Sequence, residues 1–359
     1  MGGIALQNRD YEAAIAIFRD LARKSPSPRI RLELARALFL GTYFEESRQL
    51  FEEVRDAEGT PWSVRQNIEL YLDELDIKLG FVKFDIALVS DSNPRNFTSD
   101  RRILIAGQVL TIVPPDDNKE VRGIRYHVES GRALSANQRL QGYLDLSFTD
   151  YEQSQFDRGV ADLRLIYDPE AFPRLKARTG IELSTVNGDK EYDYPYLSLI
   201  YLADPVDRYR ILYEIKAAHL NIPGAGHLDA NQYIAAAGLT RRLEGFALLK
   251  ANVAAERSEA REKPYSYNGA SMGLAADFSL GTWGMEPFIA FSKRFYRDID
   301  PFFGTTRYDF RKRAGLVLSS RKLRLGSFTP EIGLTYDKND SSIGFYSYDK
   351  LSLFFRIIE

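Results

Sequence analysis

The sequence contains no cysteine in its 359 residues. This absence excludes disulfides, thiolate metal sites and cysteine nucleophiles, and it is consistent with an oxidising compartment in which stray thiols are a liability. Neither sign of charge is in large excess, since the sequence has 48 basic and 50 acidic residues and a formal net charge of −2. We therefore expect no nucleic acid partner and no global attraction to an anionic membrane.

Long apolar segments are absent as well. No run of 18 apolar residues occurs, so the sequence offers no transmembrane helix. The mean hydropathy of −0.31 is typical of soluble proteins, but β-barrels give similar values because their polar lumen residues offset the lipid-facing ones. The first residues, Met-Gly-Gly-Ile-Ala-Leu-Gln, lack the features of a secretory signal. We therefore expect the numbering to describe a mature or trimmed form.

Residues that carry chemistry are few. The three histidines, His127, His219 and His227, show no spacing typical of a metal site. No nucleophile elbow, phosphate-binding loop or paired-glycine fingerprint is present. The sequence therefore predicts a protein that is not an enzyme and that has no cofactor and no metal.

Residues 121–359 show a two-residue alternation that is repeated to the end of the chain. In Val160–Tyr167, for example, Ala161, Leu163 and Leu165 fall on one face and charged residues on the other. Successive strand side chains point to opposite faces, so this pattern separates an apolar from a polar environment. Segments of about ten such residues, in a chain rich in Tyr and Phe, are typical of transmembrane β-barrels. A soluble sandwich or lipocalin-like barrel would have shorter strands and an apolar interior.

Turn signals divide this region into 13 strands. Short connections are expected at Ser130–Gln138, Asp168–Arg174, Ala203–Asp207, Arg241–Gly245, Leu280–Gly284 and Ser320–Gly326, and longer ones at Asp150–Asp157, Val186–Tyr194, Asn221–Asn231, Glu256–Tyr267, Arg297–Arg307 and Asp337–Phe345. A barrel with both ends in the periplasm needs an even number of strands. Phe81–Val89 supplies the fourteenth, and residues 91–120 become a long external or inward-folded connection. If Ile103–Val113 were a full strand, the parity would fail.

Charged rows on the predicted strands must face the lumen, because a charge on the lipid face near the midplane costs about 2–4 kcal/mol. The predicted lumen wall consists of Arg164, Lys176, Arg178, Arg210, Glu214 and Lys216.

Residues 1–79 follow a helical period instead. Tyr11 and Phe44, and likewise Phe18 and Phe51, occupy equivalent positions of a repeat of about 34 residues, which is the tetratricopeptide pattern. The sequence thus predicts an α+β, mainly β chain, with a tetratricopeptide-like periplasmic domain at 1–79 and a 14-stranded antiparallel transmembrane barrel at 80–359. Concave repeat surfaces bind extended partners, so these four aromatic residues are candidates for client docking. The alternative is a short helical cap that serves packing alone.

Two regions carry a more specific pattern. One is the turn after the first strand, Phe84–Asn96, which contains Asp-Ser-Asn-x-x-Asn. The other is the tail, with Phe303–Asp309, Thr329–Ser342 and the Tyr-Ser-Tyr-Asp segment of Phe345–Lys350. Together with the helical front end and the strand count, these motifs resemble the surface lipoprotein assembly modulator (Slam) family over essentially the whole chain. The matching turn positions are Asp91, Ser92, Asn93, Asn96, Tyr346, Tyr348 and Asp349.

The resemblance implies an outer-membrane translocon that carries client lipoproteins, or small secreted proteins, from the periplasm to the cell surface. The expected partners are outer-membrane lipid and the client, and a periplasmic chaperone is a further candidate partner. The protein is expected to be a monomer. The matching turn residues are interpreted as structural rather than as client contacts, because Asp and Asn side chains cap their own turns. Phe81–Val89 and Leu351–Ile358 are the candidate strands of a laterally opening seam.

Two features depart from the family pattern. The last residue, Glu359, is acidic where bacterial barrels commonly end on an aromatic residue, and the helical domain is short.

Two other functions compete with the translocon. A passive porin with an appended helical domain would conduct ions without a client, and an assembly scaffold would bind other outer-membrane proteins.

Overall fold

A computed structural model describes all residues except 26, 106–107, 114, 116–117, 136, 204–208, 244–246, 324–327 and 359. The chain divides into two compact units. The first includes Met1–Phe81 and Gly131–Gln141, and the second includes Val82–Ser130, Gly142–Leu243 and Ala247–Glu359. Pro26 and Glu359, and parts of the predicted turns at 203–207, 241–245 and 320–326, lie outside the described residues.

Five helices make up the N-terminal region among the described residues: α1 (Gly2–Gln7), α2 (Tyr11–Lys24), α3 (Pro28–Leu40), α4 (Phe44–Asp56) and α5 (Trp62–Leu79). Each helix packs against the next one along the chain. The Asp10 side chain caps α2 by accepting a hydrogen bond from the Ala13 amide at 3.1 Å. None of the described helices has both the length and the apolar character needed to cross a bilayer.

Small residues allow close packing of α2, α3 and α4. Ala14 and Ser47, at equivalent repeat positions, are fully buried, and the Ser47 hydroxyl donates to the Ala35 carbonyl at 2.8 Å. Two apolar cores result, one centred on Ala14, Ile15, Phe18, Leu34 and Leu38, the other on Phe51, Val54, Ile68, Leu72 and Leu75. Tetratricopeptide character itself stays a prediction.

The barrel contains 14 antiparallel strands in the described part of the chain, as predicted. They are β1 (Phe81–Asp91), β4 (Val121–Ala133), β5 (Leu140–Tyr151), β6 (Arg158–Tyr167), β7 (Leu175–Val186), β8 (Asp189–Leu202), β9 (Tyr209–Leu220), β10 (Ala230–Leu243), β11 (Ala247–Ala260), β12 (Tyr267–Leu280), β13 (Trp283–Ile299), β14 (Thr306–Ser320), β15 (Thr329–Ser341) and β16 (Tyr348–Ile358). Each strand neighbours the next from β4 to β16, and β16 pairs with β1 to close the ring.

The described part of residues 91–120 adds no further strand to the barrel. It contains a separate two-stranded hairpin of β2 (Arg102–Ile105) and β3 (Gln108–Thr111). The even strand number is therefore retained. We call the end of the barrel that carries connections 92–120 and 342–347 the loop end.

One predicted connection is wrong. Val186–Tyr194 was expected to be a long connection, but β7 and β8 are joined by only Asn187 and Gly188. Both residues have positive φ, 51° and 80°, as the two central residues of a type I′ turn require. Strict alternation of short and long connections therefore fails, because the strands continue into segments that look polar enough for loops.

The two faces of the strands differ as predicted. On β6, Leu163, Leu165 and Tyr167 are exposed on the outer face, whereas Asp162 and Arg164 face inward and are mostly covered. On β16, the exposed outer positions are Leu351, Leu353, Phe355 and Ile357. A solvated interior and an apolar exterior are the arrangement that a membrane barrel requires.

Candidate functional site

The junction between β1 and β16 closes the barrel. Its described backbone pairing covers seven positions, from Asp85↔Ile358 to Asp91↔Ser352. By comparison, β10 and β11 pair over 14 positions. The described pairing of β8 and β9 also covers seven positions, so pairing length alone does not single out this junction, and its side-chain contacts have to be considered as well.

The turn after β1 is built by its own side chains. Asp91 Oδ1 accepts a hydrogen bond from the Asn93 amide at 2.9 Å, and Asn93 Oδ1 accepts one from the Phe97 amide at 2.8 Å. Asn96 has a left-handed φ of 47°, which Asn tolerates better than most residues. Asn93 Nδ2 also donates to the carbonyl of Asp349 at 3.1 Å, across the junction. The Asp-Ser-Asn-x-x-Asn motif therefore shapes a turn and links it to β16.

Further contacts join the two strands at the same level. Ser92 donates its amide to the Leu351 carbonyl at 3.0 Å, and the Leu351 amide donates to Ser92 Oγ at 2.8 Å. Lys350 Nζ pairs with Asp91 Oδ2 at 3.1 Å, with both side chains less than one-fifth exposed. An ion pair of this burial is screened less by salt than a surface pair.

The segment after the turn contacts the loop before β16. Thr98 Oγ1 donates to the Gly344 carbonyl at 2.7 Å, and the Ser99 amide donates to the Ser347 carbonyl at 2.9 Å. Ser99 Oγ also donates to the Asp349 carboxylate. We call residues 91–99 together with 344–351 the seam cluster. All seven family-matching turn residues lie in it, although about 250 residues separate its two halves.

Tyr346 anchors the loop of the seam cluster. Its hydroxyl donates to Asp300 Oδ2 at 3.0 Å, and the Arg307 guanidinium stacks over its ring at 3.6 Å. Burial, together with the hydrogen bond to Asp300, raises the pKa of Tyr346 to about 12. Phe303 packs on the same ring with centroids 5.7 Å apart. Tyr348 begins β16 and faces inward by the alternation of that strand.

The residues of the predicted lumen wall share the inner face of β6, β7 and β9. Arg178 pairs with Glu214 and donates from Nε to Ser198 Oγ at 3.1 Å. Lys216 lies over the rings of Tyr194 and Tyr196, at 4.6 and 4.3 Å from their centroids. Opposite charges and aromatic rings thus cover the cations of this wall.

The same pattern continues on neighbouring strands. Arg164 Nε lies 3.1 Å from Asp162 Oδ2, and Lys176 Nζ lies 3.3 Å from Asp168 Oδ2. Arg210 is exposed near the start of β9. A role for these residues in passage through the lumen stays a prediction.

One inner group was missed by sequence reasoning. His127, on β4, lies between two carboxylates: Nδ1 is 2.6 Å from Asp85 Oδ2 and Nε2 is 3.3 Å from Asp145 Oδ1. These contacts connect β1 to β4 and β5. The signal was available, because Asp85 alternates with the apolar residues of β1 and so had to face inward. Among the described residues, no group of three or more ligating side chains is arranged to hold a metal ion.

The proposed docking residues differ in accessibility. Phe18 and Phe51 lie in the helical cores and are 9% and 2% exposed. Tyr11 and Phe44 are partly buried. Phe18 nevertheless lines a groove of about 520 Å³ between α1 and α3; the other lining residues are Gly3, Leu6, Gln7, Arg29, Ile30, Glu33, Arg36 and Leu40. Client docking at the four aromatic residues stays a prediction.

Comparison with known proteins gives a match to one family. The model of the surface lipoprotein assembly modifier family matches residues 204–357, which confirms the resemblance predicted from the tail motifs. No curated protein matches the chain. Similar solved structures include OmpT of Vibrio cholerae (8% identity, TM-score 0.42), OpdK of Pseudomonas aeruginosa (10%, 0.42) and OprB of Pseudomonas putida (9%, 0.43). These cover 78%, 78% and 83% of this chain and 98% of each of their own chains.

Proposed function

We propose that this barrel, whose match to the surface lipoprotein assembly modifiers supports its assignment to that family, moves client lipoproteins or small secreted proteins from the periplasm to the cell surface. The closed barrel and the family match support a location in the outer membrane. The loop end would face the outside, because outer-membrane barrels carry their longest connections there. The helical region precedes β1 in the sequence, and a periplasmic location for it is part of this proposal.

One observation carries the proposal. The junction of β1 and β16 has seven paired positions, and its side-chain links are concentrated in the seam cluster at the loop end. Releasing this junction would open a lateral path between lumen and bilayer, so that a lipid-anchored client could keep its acyl chains in hydrocarbon. Nothing in this route needs a nucleotide. Folding or binding of the client outside would supply the driving force.

The groove between α1 and α3 is our candidate for client capture. Its lining includes the apolar side chain of Phe18, the guanidinium groups of Arg29 and Arg36, and one carboxylate, that of Glu33. An extended segment with an apolar side chain and an acidic neighbour would fit this combination.

A disulfide across the junction tests the lateral path. Leu88 and Phe355 are paired on the outer face of β1 and β16. Because the chain has no cysteine, a Leu88→Cys, Phe355→Cys protein has only the introduced thiols. The matched control is Ala235→Cys, Ala255→Cys, which joins the paired strands β10 and β11.

The readout is protease accessibility of a surface lipoprotein on intact cells. We expect oxidation of the Leu88–Phe355 pair to abolish surface display and reduction to restore it, whereas the control cross-link leaves display unchanged. Normal display with a fully cross-linked junction would rule out the lateral path.

A passive porin is the second candidate, and the charged inner wall is the observation that favours it. Planar bilayers separate the two. A porin gives stable ion conductance without a client, whereas a translocon closed by its seam cluster gives low or flickering conductance.

A further inference from the structure

Three lysines on neighbouring strands point away from the lumen. Lys293 of β13, Lys312 of β14 and Lys338 of β15 share the face of exposed apolar residues such as Ile289 and Tyr336. Lys312 and Lys338 are directly paired across β14 and β15. Like charges placed opposite each other destabilise a sheet, and charges on a lipid-facing wall are costly near the midplane. This patch therefore requires a specific explanation.

The charges of the patch are only partly balanced. Asp340 is shared by two lysines, at 2.7 Å from Lys312 Nζ and 3.1 Å from Lys338 Nζ, and Asp349 of β16 is paired opposite Lys338. Lys293 Nζ lies over the Phe310 ring, 5.2 Å from its centroid, and Lys312 Nζ lies 4.9 Å from the same centroid. In the described part of the chain, no carboxylate pairs with Lys293. Two cations thus share one aromatic ring, and one of them, Lys293, has no counter-ion among the residues that the structure describes.

The depth of the patch fits a headgroup. Trp283 is exposed at the start of β13, at the end of the barrel opposite the loop end, and Lys293 lies ten residues further along the strand. At about 3.3 Å per residue and a tilt of about 40°, this corresponds to roughly 25 Å along the membrane normal, the height of the apolar band. Phe295, just beyond, is exposed as in an interfacial aromatic girdle. Long lysine side chains at this level reach the headgroups while their stems stay in hydrocarbon.

We propose that Lys293, Lys312 and Lys338 bind the phosphates of a phosphorylated lipid in the outer leaflet. Phosphate oxygens would supply a counter-charge to Lys293, and Lys312 and Lys338 would add donors beside it. The inference rests on the proposed orientation, with the loop end outside, and not on client transport. The site lies on the three strands that precede β16, so the bound lipid would sit beside the junction.

Native mass spectrometry of the purified full-length protein in detergent tests the site. The probes are bisphosphorylated lipid A and the same lipid with both phosphates removed. We expect the wild-type protein to retain the phosphorylated lipid, and Lys293→Gln, Lys312→Gln, Lys338→Gln to bind it at least about tenfold more weakly. The matched triple control is Lys24→Gln, Lys250→Gln, Lys322→Gln, which removes equal charge away from the patch and should bind normally.

Folding is checked by heat-modifiable migration on gels. If the triple variant does not fold, Lys293→Gln alone is used, since Lys293 is exposed and has no carboxylate partner among the described residues; we expect about threefold or greater weakening. Three outcomes would each overturn the assignment. These are equal binding of the dephosphorylated lipid, unchanged lipid binding by the folded variants, and an inorganic phosphate adduct that depends on the three lysines. No client is present, so a negative result leaves the transport proposal standing.

Discussion

The hydrogen bonds of Asn93 in the seam cluster allow us to predict how much this residue stabilises the junction of β1 and β16. Its side chain is 8% exposed and donates to the carbonyls of Phe97 at 2.9 Å and Asp349 at 3.1 Å. It also accepts from the Phe97 amide at 2.8 Å and from Asn118 Nδ2 at 3.2 Å. Asn93→Ala removes all four bonds and leaves partly buried backbone groups without them.

Each such bond contributes about 0.5–1.5 kcal/mol net, and contributions within one network are not additive. We expect the loop end of the junction to be destabilised by about 2–3 kcal/mol. Since each 1.4 kcal/mol is a factor of ten, the locally open state becomes about 30- to 150-fold more populated. This opening is local, so the remaining strands should keep their stability.

Amide hydrogen exchange of the barrel in detergent measures this opening. Peptides covering 85–91 and 352–358 should exchange faster in Asn93→Ala, while peptides of β10 and β11 stay unchanged. Asn231→Ala is the matched control, because Asn231 pairs with His219 on the outer face, far along the sheet from the junction. Unchanged exchange at 85–91, or an equal rise in β10 and β11, would refute the assigned role of the seam cluster.

Two further predictions concern packing and pH. In Gly333→Ala the new Cβ would overlap the Phe354 ring, so we expect a loss of about 1–3 kcal/mol. In Gly238→Ala the new Cβ meets nothing within 4 Å, so we expect almost no change in stability. Equal unfolding temperatures of the two variants, measured by gel shift, would contradict this. The pKa of Tyr346 is above its unfolded value near 10, so its bond to Asp300 stabilises the loop fully below pH 10 and is lost as pH rises towards 12. The 295 nm difference titration of wild type against Tyr346→Phe should show a midpoint near 12; a midpoint near 10 would exclude a buried, bonded phenol.

Much of the barrel was predictable because strand alternation is a local property. On β1 the outer face is predicted from the apolar residues Phe84, Ile86 and Leu88, and the inner face from the charged residues Lys83 and Asp85. This prediction needs no information about the neighbouring strands. Loop lengths were less predictable. Asn187-Gly188 is a strong hairpin signal, and here it outweighs the polar residues on either side of it.

The residues of the candidate site were visible in the sequence only as motifs. Asp91, Ser92 and Asn93 could be interpreted as a self-capped turn, but their bonds to Asp349 and Leu351 depend on ring closure. Similarly, nothing in the sequence distinguished His127 from the other two histidines until β1, β4 and β5 were adjacent.

The sequence by itself determined which side of each strand faces hydrocarbon and the absence of cysteine chemistry, since these follow from residue type and from a period of two. The number of strands followed from the turn signals together with the even number that a barrel with both ends in the periplasm requires. Only the tertiary structure decided which distant residues meet. Closing a barrel fixes a register between the first and last strands, and that register brings residues 91–99 to 344–351. Pairings of this kind depend on the whole ring, and no local pattern encodes them.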